Sequence, residues 1–166
     1  MAQAKIIPAT LKDIPHIRKI VDLSWPLTYG EILTPAQLHY MIGLIYSQEA
    51  LLRQFREGHH FYILWEDDKA RGFIDMGKRE QGLVKLHKIY LVPEVQAKGY
   101  GRLLMNFAIS TAKNMGADTL KLNVNRFNKA LGFYERMGFT ISESVDIPIG
   151  EGFYMNDYVM TRSLTD

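Results

Sequence analysis

Gln96, Lys98, Gly99, Gly101 and Arg102 stand at a seam. An apolar run over residues 86–92 passes through Pro93 into a helical pattern over residues 102–115. A helix start exposes backbone N–H groups with no intrahelical partner, and the helix dipole adds partial positive charge, so phosphate is suited to the place. Gly99 and Gly101 let a ligand approach the main chain without meeting a Cβ. Lys98 and Arg102 are expected to flank the amides of residues 98–103, Tyr100 and Leu103 included, with full charges.

Two nucleotide motifs fail here. A P-loop needs Lys and a hydroxyl residue after its second glycine, and Arg102 and Leu103 follow Gly101. The dinucleotide fingerprint needs a third glycine three residues on, where Leu104 stands. His59 and His60 have no carboxylate or cysteine cluster at ligand spacing, so a solvated loop is expected there and no metal.

Gln96-x-x-Gly99-x-Gly101 resembles the pyrophosphate loop of the GCN5-related N-acetyltransferases. Further on, residues 119–125 alternate like a strand, and Asn128-x-Ala130-x-x-Phe133-Tyr134-x-x-x-Gly138-Phe139 resembles that family's closing motif. The resemblance implies an α/β fold with a central mixed sheet whose strands splay apart, flanked by helices, and acetyl-CoA as co-substrate. Ile89, Tyr90 and Leu91 would then run along the pantetheine arm as in strand addition, with the Leu91 N–H facing the thioester oxygen. As plain buried strand residues they would read the same.

By the same resemblance Tyr134, six positions after Asn128, protonates the departing thiolate. Its alternative is packing alone, on a face with Ala130, Phe133 and Met137. Asn128 caps that helix, contacts the pantetheine amide, or both. His87 resembles the second strand histidine of the arylalkylamine N-acetyltransferases, and Lys85 stands where their first would be. The two-residue period would put Lys85, His87, Ile89 and Leu91 on one face. His87 as base predicts an acidic limb near an imidazole pKa. It can equally be a core histidine, with Glu80, Asp75 or a water as substitute.

For the acceptor, Trp25, Tyr29 and Glu31 lie in a segment that resembles the bacterial spermine and spermidine N-acetyltransferases. An aromatic cage of Trp25 and Tyr29 beside Glu31 would suit a cationic amine, although Trp25 also fits a core role. A small primary amine, polyamine-like, is thus the expected acceptor. Acetylation of a lysine or N-terminus of a protein, and a silent acetyl-CoA-binding regulatory module, are the alternatives.

The elements that must hold these residues read in order. A strand over residues 5–9 precedes a helix capped by Thr10 and Asp13, with Ile14, Ile17, Val21 and Trp25 at helical spacing and Pro26 as its stop. Thr34 and Pro35 open a second helix, and residues 47–56 a third. Residues 61–65 and 71–76 form a hairpin. After Gly138 come a strand over residues 139–145, a loop over 147–152 and a final strand over 153–163.

The 166 residues, 47% of them hydrophobic, fit a single domain spanning residues 1–166. A net charge of +2 without a basic stripe gives no reason for nucleic acid, and no segment reaches the roughly 20 apolar residues of a membrane span. Without a signal-like apolar start the expected location is cytoplasmic, and a homodimer is left open. Cysteine is absent, which removes an enzyme-bound thioester and favours direct transfer from donor to acceptor.

Overall fold

The computed structural model describes residues 3–165. β1 (Ala4–Pro8) leads through a 3-10 turn at Leu11–Asp13 into α1 (Ile14–Tyr29). Thr10 and Asp13 form the expected reciprocal cap. α2 (Pro35–Tyr46) and α3 (Gln48–Arg56) follow, capped by the hydroxyls of Thr34 and Ser47. Next come β2 (His60–Glu66), β3 (Lys69–Glu80) and β4 (Leu83–Leu91). α4 (Tyr100–Asn114), β5 (Thr119–Asn125), α5 (Leu131–Arg136), β6 (Thr140–Gly150) and β7 (Phe153–Ser163) complete the chain.

The seven strands make one sheet in the order β1-β2-β3-β4-β5-β7-β6. Only β4 and β5 are parallel, and they pair solely at Leu83–Lys85 against Thr119–Lys121. Beyond Lys85 they separate, so the sheet is mixed and splayed, as expected. One core packs α4 and α5 on one face, with Leu104, Met105, Ala108 and Tyr134 against Leu86, Leu120 and Leu122. The other packs α1, α2 and α3 on the opposite face, with Ile17, Val21, Met41 and Leu51 against Phe61, Ile63 and Phe73. No helix among the described residues is long and apolar enough to cross a membrane.

The end of α1, residues 147–152 and the loop before α4 each differ from the sequence expectation, and β3 is longer than the expected 71–76. Pro26 does not stop α1. It lies inside the helix, which runs on to Tyr29, and the Gly30 N–H still bonds Pro26 O at 2.9 Å. An interior proline removes one helical bond, but Tyr29 is buried against Trp25 at 4.5 Å between ring centroids, and that packing holds the last turn. The expected loop over residues 147–152 is mostly strand: β6 reaches Gly150 and turns through Glu151 and Gly152. Pro148 is tolerated because β6 is an edge strand. The loop before α4 contains a 3-10 segment, Pro93–Lys98, that buries Val95.

Candidate functional site

The gap between β4 and β5 opens into a cleft of about 540 Å³. Ile89, Tyr90, Leu91, Gln96, Gly99, Gly101, Arg102, Asn128 and Tyr134 all line it, together with His87 and Tyr29. Leu91 lies opposite Gly72, and the Val92 N–H donates to Arg71 O at 2.9 Å. In antiparallel alternation that makes Leu91 and Gly72 a non-hydrogen-bonded pair, so the main-chain groups of Leu91 turn toward the gap. The Gln96 side chain donates to Leu91 O at 3.4 Å.

Gly99 caps α4 with φ +81°, a left-handed conformation suited to glycine. The first bond across this end runs from the Leu103 N–H to Gly99 O at 3.2 Å. The N–H groups of the first turn, through Arg102, are therefore outside the helical ladder, whereas that of Leu103 is used. A Cβ on Gly101 would stand 3.6 Å from the Phe133 ring, an ordinary contact. Packing alone therefore does not require glycine there.

The flanking charge is not placed as expected. Lys98 Nζ pairs with Glu66 Oε2 at 2.9 Å, and the Tyr100 hydroxyl donates to the same oxygen at 2.5 Å. These two bonds, the Lys98 bond first, hold the Glu66 carboxyl below its ordinary range. Neither Lys98 nor Tyr100 lines the cleft, nor does the half-exposed Leu103. Lys98 and Tyr100 brace the loop against β2, which leaves Arg102 as the cation of the loop in the cleft wall.

Tyr134 is 7% exposed, and its phenol is pushed well above its ordinary pKa, by burial first and then by Tyr29. Asn128 Oδ1 accepts the Ala130 N–H at 2.8 Å, fixing the turn that starts α5.

His87 is displaced from its expected face. Asp75 pairs with Lys88 and Met76 with Leu86, so His87 is the extra residue of a β-bulge. The two-residue period breaks there. Leu86, Ile89 and Leu91 pack on the α4 side, while His87 stacks on His59 at 4.3 Å between ring centroids, beside the buried Asp75. Burial, partly offset by Asp75 and reinforced by His59 and the neighbouring lysines, lowers its pKa from 6.5 to about 3. The acidic limb expected near an ordinary imidazole pKa is therefore not expected from His87.

A stability effect is expected instead. The folded pKa lies below the unfolded one, so the unfolded chain binds the extra proton, and His87 destabilises the fold as pH falls from 6.5 toward 3. His87→Gln should flatten the melting temperature against pH across that window. An unchanged slope would contradict the assignment.

His59 is not in a solvated loop either: its Nδ1 lies 2.6 Å from Asp75 Oδ2. The acceptor cage is only partly assembled. Tyr29 lines the cleft, its hydroxyl 2.8 Å from that of Tyr90, and burial pushes its pKa up to about 12. Trp25 is buried behind it and Glu31 is exposed, and neither lines the cleft. Two polar residues were missed, Asn123 and Asp157. Asn123 stands in the polar row of β5 with Lys121 and Asn125, and Asp157 follows Asn156 on β7.

A splayed mixed sheet with a glycine-capped helix at the opening defines an acyl-CoA transferase fold. The chain belongs to the acetyltransferase (GNAT) domain family, whose model matches residues 34–158. It is 33% identical over 99 residues to an uncharacterized N-acetyltransferase of Mycobacterium bovis, across 59% of this chain and 63% of that protein's length. The spermidine N(1)-acetyltransferase of Thermoplasma acidophilum is 28% identical over 141 residues, 81% of this chain and 87% of that one. The crystal structure of the PaiA N-acetyltransferase of Thermoplasma acidophilum in complex with coenzyme A superposes with a TM-score of 0.82 at 24% identity, covering 97% and 99% of the two chains.

Proposed function

We propose that the protein transfers the acetyl group of acetyl-CoA directly to a small primary amine, a polyamine being the first class to try. Family membership supports the donor, together with the free amides at the start of α4 and the outward main chain of Leu91. A polyamine is supported by the relative named spermidine N(1)-acetyltransferase.

One observation carries the small acceptor. The Tyr40 hydroxyl donates to Ile149 O at 2.6 Å and Gln37 Nε2 to Tyr154 O at 2.7 Å, tying α2 to the tip of the β6–β7 hairpin. These two segments, which lie outside the lining of the cleft, would have to part for an extended polypeptide to lie between them. Instead they are bolted together, and the Tyr40 ring packs on Phe153 at 5.3 Å.

Chemically, the ammonium first loses a proton, and with His87 titrating at about 3 the acceptor of that proton is water in the cleft. The amine nitrogen then bonds to the thioester carbon, and the Leu91 N–H steadies the charge on oxygen. As the C–S bond breaks, the newly bonded nitrogen gives its second proton to water, Tyr134 donates a hydrogen bond to the leaving sulfur, and water supplies the proton that makes the thiol. Holding both reactants in one cleft provides much of the acceleration.

The test is CoA release with a panel of polyamines, arylalkylamines and peptides. Turnover concentrated on small amines is expected, and turnover of peptides alone would overturn the proposal.

A further inference from the structure

We propose that Asp157 on β7, with Asn123 on β5, forms the subsite that holds the protonated acceptor amine. It rests on the small-amine reading above and supplies what that reading lacks. Among the described residues no carboxylate directly lines the cleft, whose charged walls are cationic, and the expected Glu31 lies elsewhere. A cationic acceptor needs an anion within reach.

Asp157 is the acid so placed. It pairs across β5 with Asn125, and its neighbour Val159 pairs with Asn123, so Asp157, Asn123 and Asn125 share one face of the sheet. That face continues through Lys121 to Lys85 on β4, next to His87. Asp157 is 7% exposed, its charge helps to raise the Tyr29 phenol pKa, and the charges of Lys85 and Arg126 draw down its own carboxyl pKa, which burial raises. Tyr29 and Asn123 are both cleft-lining.

Asn123 supplies a second, independent sign. Its Oδ1 is buried without a hydrogen-bond partner among the described residues, although the residue lines the cleft. A buried acceptor left open is costly unless a ligand donates to it. Its side chain also acts on the Asp157 carboxyl, drawing back down a pKa that burial raises. A carboxylate and an orphaned amide oxygen side by side, at the meeting of β4, β5, β7 and α1, match a group that only donates hydrogen bonds: a primary ammonium.

The experiment is calorimetric titration of spermidine and of n-butylamine into the protein saturated with CoA, for wild type, Asp157→Asn and Asn123→Leu. Asp157→Asn should weaken amine binding by roughly tenfold or more, the loss expected for a charge-assisted bond. Asn123→Leu should weaken it several-fold, with acetyl-CoA binding unchanged in both. If Asp157→Asn fails to fold, Asn123→Leu carries the test. Amine binding or turnover untouched by both substitutions sinks the subsite and leaves the small-amine reading standing. Parallel loss of acetyl-CoA binding also sinks it, because the residues would then be structural. A wild type that binds no amine sinks both.

Discussion

Tyr134→Phe is expected to lower kcat by roughly 100-fold, the low end of what removing one hydrogen-bond donor aimed at developing charge costs, while the dissociation constant of acetyl-CoA stays put. Phenylalanine keeps the ring that packs between Phe133 and Phe139, so the fold and the cleft wall survive and only the hydroxyl goes. Burial raises the phenol pKa, so the group stays protonated at every accessible pH, and the reaction should show no alkaline limb from it. The same shift makes it a weak acid toward a thiolate of ordinary pKa about 8.5, so its work is a hydrogen bond to sulfur in the transition state rather than complete ionisation. Steady-state kinetics with saturating amine reads this directly. Unchanged kcat would show that the hydroxyl has no part in the chemistry.

Asp75→Ala is expected to cost about 3–5 kcal/mol of folding stability, the usual result of removing one partner from a buried pair. Asp75 is fully buried, and its Oδ2 accepts from Lys88 Nζ at 2.6 Å while His59 Nδ1 lies at the same distance. Lys88 Nζ also donates to Gln54 Oε1 at 2.7 Å and sits over the rings of Phe61 and Tyr46. Without Asp75 that ammonium is left charged in an aromatic pocket, where burial already lowers its pKa. Chemical denaturation measures the loss, and pairing Asp75→Leu with Lys88→Met should recover most of it. A single substitution costing under about 1 kcal/mol would mean that the pair is solvated.

The glycine loop, the strand of residues 119–125 and the segment from Asn128 to Phe139 were legible because each answers a local demand. A left-handed cap asks for glycine at Gly99, and alternation sends Leu120, Leu122 and Val124 to the core. What could not be read depended on partners far away in the chain. The bulge at His87 exists only in the pairing of β4 with β3, and one extra residue moved the imidazole to the other face. Lys98 and Tyr100 turn from the loop because Glu66, more than 30 positions earlier, waits on β2. Pro26 stays helical because Tyr29 has a place to pack. Asp157 follows Asn156 on a strand that also carries Thr161 and Arg162, so nothing local singles it out, and only the register of β7 on β5 says what it faces.

Titration calorimetry of acetyl-CoA into wild type and Gly101→Val tests the proposed donor site most directly. A saturable single-site isotherm is predicted for the wild type, and none for the variant, whose branched side chain would stand where the diphosphate must approach the amides of α4. No heat with the wild type, or equal binding by Gly101→Val, would contradict it.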